Sequence, residues 1–144
     1  MDQKDFKLWN RVVGWAVFLV AAITYLLTIE PSSSLWDCGE FVATSYKLEV
    51  GHPPGAPLFM LLARLDTMFA PSPYYVPHMV NAMNALASAF CILFLFWTIT
   101  HIARRLVTRD GQQLSLPNVV AILGAGAVGA LAYTFTDTFW FSAV

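Results

Sequence analysis

Three stretches without Asp, Glu, Lys or Arg set the rhythm of this chain, at residues 12–29, 79–102 and 118–136. The first runs for 18 residues, about 27 Å as a helix and close to the ~30 Å thickness of a bilayer's hydrocarbon. The second contains no ionisable group except His101, and the third is 19 residues long. Three such runs predict an all-α integral membrane protein with three transmembrane helices. The polar segments between them are residues 1–11, 30–78, 103–117 and 137–144.

The long segment at 30–78 has a pattern of its own. Leu58, Leu61, Leu62, Leu65, Met68 and Phe69 recur at helical spacing and form one apolar stripe. Arg64 and Asp66 flank it, and a charge at the bilayer centre costs about 2.5–3.5 kcal/mol, so this short helix should not span. It should lie in the interface with its stripe in the acyl boundary. Residues 41–48 suit a second short helix. Pro53 and Pro54 deny helix to the junction, and Gly51 and Gly55 let the chain turn. Pro71, Pro73 and Pro77 should break the run before the second span.

Composition agrees with the pattern. Hydrophobic residues make up 58% and charged residues 12%, against roughly 25% charged in soluble domains; the mean hydropathy is +0.61. A net charge of −1 offers no basic field for nucleic acid. Two cysteines, Cys38 and Cys91, make no disulfide framework.

Orientation follows from the basic residues. With Lys4, Lys7, Arg11, Arg104, Arg105 and Arg109 in the cytoplasm, six of the eight Lys and Arg lie inside. Lys47 and Arg64 then lie outside, with Glu30, Asp37, Glu40, Glu49 and Asp66. The expected order is a cytoplasmic tail, an outer loop with interfacial helices, a cytoplasmic turn at 103–117, and an outer end at 137–144. A cleaved signal peptide would also begin with basic residues. The apolar run is too long for one, and Glu30-Pro31 replaces a small-residue cleavage site.

Asp37 and Glu40 are the candidate chemistry. Two carboxylates just beyond a span are costly. The same spacing is also a capping box, with Asp37 accepting from an N–H three residues on and Glu40 reaching back, beside Trp36 as an interfacial anchor. Arg64 has a snorkelling reading, and His52 the reading of a turn residue bonded to backbone. Asn81 and Asn84 should pair with another helix or meet the loop. Gly124, Gly126 and Gly129, with Ala125 and Ala130, offer a small-residue packing surface. Asp137 marks the outer end of the third span.

Three strings carry a resemblance: Trp36-Asp37-Cys38-Gly39-Glu40-Phe41, Lys47-Leu48-Glu49-Val50-Gly51-His52-Pro53-Pro54-Gly55-Ala56-Pro57 and Phe139-Trp140-Phe141-Ser142-Ala143-Val144. With the order of the segments, they resemble the GT-C superfamily of polytopic membrane glycosyltransferases. They are most like a bacterial family long catalogued as a domain of unknown function, whose animal relatives are protein O-mannosyltransferases. The resemblance implies transfer of a sugar from a polyprenyl-phosphate carrier to an acceptor protein or glycan on the extracytoplasmic face. It implies a bacterial inner membrane, and catalytic acids in the first outer loop at Asp37 and Glu40.

Chemistry allows that role. Asp37 would be the general base on the acceptor hydroxyl, with Glu40 orienting it or binding hydroxyls. Lys47, Arg64 and His52 would meet the carrier's phosphate. No cofactor is required. Asp37, Glu40 and His52 offer three ligands for a divalent ion, as used by some members of the superfamily, but without a tight spacing signature. The rival reading is a non-enzymatic membrane subunit, part of a transporter or an assembly scaffold, although ionisable groups here cluster outside rather than at the midplane. Three spans are few for a polytopic transferase, so the chain reads as the N-terminal portion of a longer enzyme that needs its remaining helices.

Overall fold

The computed structural model describes residues 2–33, 37–53, 55–108 and 114–144. The anchor reading of Trp36, the corner role of Pro54 and the place of Arg109 among the basic residues fall outside them. The described residues are all-helical. They form α1 (Gln3–Leu27), α2 (Cys38–Lys47), α3 (Pro57–Thr67), a 3₁₀ turn (Pro73–Tyr75), α4 (Val76–Val107), α5 (Leu116–Thr134) and α6 (Asp137–Ala143). Among them α1, α4 with its leading turn, and α5 are long and apolar enough to cross a membrane.

α1 and α4 exceed the charge-free runs that announce them, whereas α5 keeps the 19-residue length of its run and starts two residues earlier. α1 starts at Gln3, because nothing in its polar first turns breaks the hydrogen-bond ladder. It stops at Thr28, whose N–H reaches Tyr25 O at 3.2 Å. Pro73 and Pro77 begin helical turns instead of ending them, since proline's missing N–H costs nothing in a first turn. α5 is capped by Ser115, whose hydroxyl accepts from the Asn118 N–H at 3.4 Å.

α1, α4 and α5 form a three-helix bundle. Small residues let the backbones close: Ala21 and Ala22 of α1, Ala85 and Ala89 of α4, and Ala130 of α5 are buried. Phe18, Tyr25, Ile92, Leu93 and Phe96 fill the space between them. The glycines of α5 divide by direction. A Cβ on Gly126 would lie 2.6 Å from Thr100 Cγ2, and one on Gly129 would lie 2.8 Å from Ile99 Cδ1. Gly124 faces open space. Close packing of α5 on α4 therefore rests on Gly126, Gly129 and Ala130. Outward, Leu19, Ile23, Phe94, Val120 and Val128 are exposed, a surface suited to lipid rather than water.

Two side-chain bonds lock one end of the bundle. Tyr25 OH donates to Thr134 O at 3.0 Å, and Trp140 Nε1 donates to Thr28 Oγ1 at 2.9 Å. The α2–α3 hairpin sits on this same end. Val42, Ala63, Val76 and Val80 form a small core joining it to the start of α4. The hydroxyls of Thr44 and Ser45 meet Met60 Sδ at 3.3 and 3.1 Å, and Phe41 stands edge-on to Phe59. The Leu58, Leu61, Leu62, Leu65 stripe of α3 points away from this core and is exposed.

Candidate functional site

α2 fixes the two carboxylates. It begins at Cys38, so Asp37 sits at its N-cap position and Glu40 on its first turn. The chain leaves α2 through Leu48, held at φ 55°, a left-handed value uncommon for a branched residue. The N–H of Glu49 bonds back to Thr44 O at 2.9 Å, which reverses the chain in the manner of a helix C-terminal turn. Gly55, at φ 72°, closes a second turn with its N–H on His52 O at 3.0 Å. Together these turns carry His52 back over the start of α2.

The result is a cluster of three side chains. Glu40 Oε1 accepts the backbone N–H of His52 at 2.7 Å, and Glu40 Oε2 lies 2.7 Å from His52 Nδ1. The far side of the ring faces Asp37, with Nε2 3.9 Å from Oδ2. Gly51 is needed here because a Cβ would come within 3.1 Å of Glu40 Oε1. The Asp37 side chain is 62% exposed, open to a reactant from solution.

The capping box does not form. Asp37 makes no side-chain cap bond, and Glu40 bonds to a residue twelve positions on instead of reaching back along its own helix. His52 satisfies both Glu40 oxygens at once, which a single return bond to an N–H would not.

Charge follows geometry. The His52 backbone N–H, then its ring, holds Glu40 below the ordinary carboxylate range. His52 is raised above the ordinary imidazole value, first by the hydrogen bond to Glu40, then by the charges of Glu40 and Asp37. Protonation of the imidazole is therefore easier than in a free histidine, with Nδ1 beside Glu40 and Nε2 on the side of Asp37.

The remaining expected site residues lie elsewhere. Lys47 is exposed at the opposite end of α2, about 15 Å of helix rise from Asp37. Arg64 donates through Nη1 to Tyr46 O and lies 5.6 Å over the Tyr46 ring, so it caps α2. Asp66 also stands apart. Burial pushes its carboxyl up, and Oδ2 has no hydrogen-bond partner among the described residues. Asp137 opens α6, on the same end of the bundle.

Asn81 was missing from the expected site. Its Nδ2 donates to Glu30 O at 2.9 Å and Ser32 O at 3.1 Å, tying the entry of the loop to α4. Of its two expected readings, meeting the loop is the one observed. Beside the cluster, a cavity of about 340 Å³ opens between α2, α3 and α4, lined by Phe41, Val42, Phe59, Val80, Asn81 and Asn84.

One carboxylate or imidazole atom from each of Asp37, Glu40 and His52 lies within 4.8 Å of the others, a spacing that a cation can bridge. An ion would first have to displace the two bonds between Glu40 and His52.

The fold and this cluster define a class: a polytopic helical membrane protein with an acid–imidazole site at one end of its bundle. The chain belongs to the family described as the protein O-mannosyl-transferase TMEM260 N-terminal domain, whose model matches residues 37–144. It is 38% identical over 84 residues to the mouse protein O-mannosyl-transferase TMEM260, covering 58% of this chain and 12% of that one. It is 30% identical over 104 residues to the protein O-mannosyl-transferase tmem260 of Dictyostelium discoideum, covering 68% of this chain and 13% of that one. The chain thus spans about an eighth of the length of these curated relatives. No solved structure matches it.

Proposed function

We propose that this chain is the catalytic-loop portion of a GT-C-type glycosyltransferase that moves a sugar, on family grounds mannose, from a polyprenyl-phosphate carrier to an acceptor hydroxyl. The convergence of Asp37, Glu40 and His52 carries the reading. Asp37 takes the proton of the acceptor hydroxyl as its oxygen bonds to the anomeric carbon. The bond from that carbon to the phosphate oxygen breaks, and its electron pair leaves with the phosphate. An ordinary aspartate is a weak base, so its contribution comes from position more than basicity.

Glu40 acts through His52. It holds His52 by two bonds, one to the backbone N–H and one to ring Nδ1, and the protonated ring presents positive charge beside Asp37. The same charge offers the leaving phosphate a counter-ion. Lys47 and Arg64, nearer the other end of α2, would reach a phosphate lying along that helix rather than over the carboxylates. The apolar cavity beneath Phe41 and Phe59 suits the first units of the carrier's hydrocarbon chain.

By the distribution of basic residues, the reaction faces the extracytoplasmic side, and the membrane is the inner membrane of a bacterial cell. The names of the relatives support sugar transfer to protein.

The test is Asp37→Asn in the full-length protein, assayed for glycan transfer with membrane insertion monitored. The expected loss is about 10²–10⁴-fold with insertion intact. Transfer near the unmodified rate would remove Asp37 from the reaction.

A further inference from the structure

At the end of the bundle opposite the acid–imidazole cluster, α1 and α4 enclose a polar cavity of about 300 Å³. Lys7, Arg11, His101 and Arg104 line it together with Asn10 and Trp97. No carboxylate is among its described lining residues. Asp2 and Asp5, on the adjoining turns, do not reach it. Arg104 is held in place over the Phe6 ring, 5.0 Å from its centroid.

Two buried polar atoms here are unanswered. Asn10 Oδ1 and Trp97 Nε1 have no hydrogen-bond partner among the described residues. Both atoms are closed off within the packing of α1 against α4, Trp97 Nε1 against Gly14, so the cavity offers a ligand its cations and not this pair.

Three permanent cations around one cavity describe a site for a phosphate. The surroundings favour a lipid over a soluble phosphate. From the cavity, Leu8, Val12 and Trp15 run along α1 with their side chains exposed, a track for acyl chains. The volume suits a headgroup alone. Basic pockets between transmembrane helices are established headgroup sites.

We propose that this cavity binds the phosphate of an anionic phospholipid in the leaflet opposite the acid–imidazole cluster. Lys7, Arg11 and Arg104 hold the phosphate.

The test uses the full chain in mild detergent, with bound species read by native mass spectrometry. It is titrated with phosphatidylglycerol, phosphatidylcholine and inorganic phosphate. Phosphatidylglycerol is expected to be retained at least about tenfold over phosphatidylcholine, without displacement by inorganic phosphate. Each cation contributes about fivefold. Arg11→Gln with Arg104→Gln should therefore lower retention about 25-fold, whereas Arg11→Lys with Arg104→Lys should keep most of it. Equal retention of the two lipids by the unmodified chain overturns the proposal, whether or not the variants fold. Displacement by inorganic phosphate overturns the lipid assignment in favour of a soluble anion. Undiminished retention by the helical double-glutamine variant overturns the site.

Discussion

The packing of α5 on α4 can be tested with one methyl group at three positions. Alanine at 126 places a Cβ 2.6 Å from Thr100 Cγ2 and 2.9 Å from Phe96 Cε2, whereas carbon atoms rest at about 3.5–4.0 Å. Neither neighbour can retreat, because Phe96 is 0% exposed and Thr100 1%. Overpacking of this kind costs about 1–3 kcal/mol. Alanine at 129 meets only the tip of Ile99, at 2.8 Å, and a rotamer change relieves most of that. Alanine at 124 meets nothing within 4 Å and gains up to about 1 kcal/mol of helix propensity. The order of stability should be Gly124→Ala, then Gly129→Ala, then Gly126→Ala, with about 2–4 kcal/mol between the extremes. Reversible unfolding in mixed detergent, followed by circular dichroism, measures it. Equal stability of Gly124→Ala and Gly126→Ala would refute the close approach of the two helices.

Two further outcomes follow from the loop. His52 should titrate above the ordinary imidazole pKa by NMR and fall back in Glu40→Gln, because the Glu40 hydrogen bond is the main cause of its rise. Its contribution to holding the loop is full below about 6.5 and fades as pH rises through the folded value, while that of Glu40 is lost as pH falls through its lowered one. The cluster should therefore be best ordered between these limits, and loosening at both extremes of the range is the observable. Asn81→Ala removes both carbonyl contacts, worth about 1 kcal/mol in an exposed setting. Residues 30–33 should then become more mobile, read as lower backbone order parameters by NMR, and unchanged order would mean the bonds do not hold the loop entry.

The helices themselves were legible in the hydrophobic pattern, because a backbone in lipid must satisfy its own hydrogen bonds and an unbroken apolar run leaves it one way to do so. The break between α2 and α3 could be read for a similar reason: Pro53 cannot continue a helix begun before it, and Gly51 and Gly55 give the chain room to turn. Family motifs pointed to Asp37, Glu40 and His52. The partnership among them was not legible. Local spacing proposed a cap at Asp37 and Glu40, and only a contact twelve residues away decides against it. Gly51 looked like a hinge and proves to be clearance for a carboxylate. That Arg64 also holds the end of α2, through Tyr46 O, could not be read from its place in the stripe.

The basic residues near each end of the long helices were read for orientation alone. That Lys7, Arg11 and Arg104 share a cavity with Asn10 and Trp97 depends on the rotation of α1 against α4. Sequence period fixes which residues share a face of one helix, but packing sets which face meets which neighbour. By itself the sequence determined how many helices cross and where the chain must turn, since those are matters of local solvation and backbone freedom. Tertiary structure decided the partners of Tyr25, Glu40, Arg64, Asn81 and Trp140, because those partners come from segments distant along the chain.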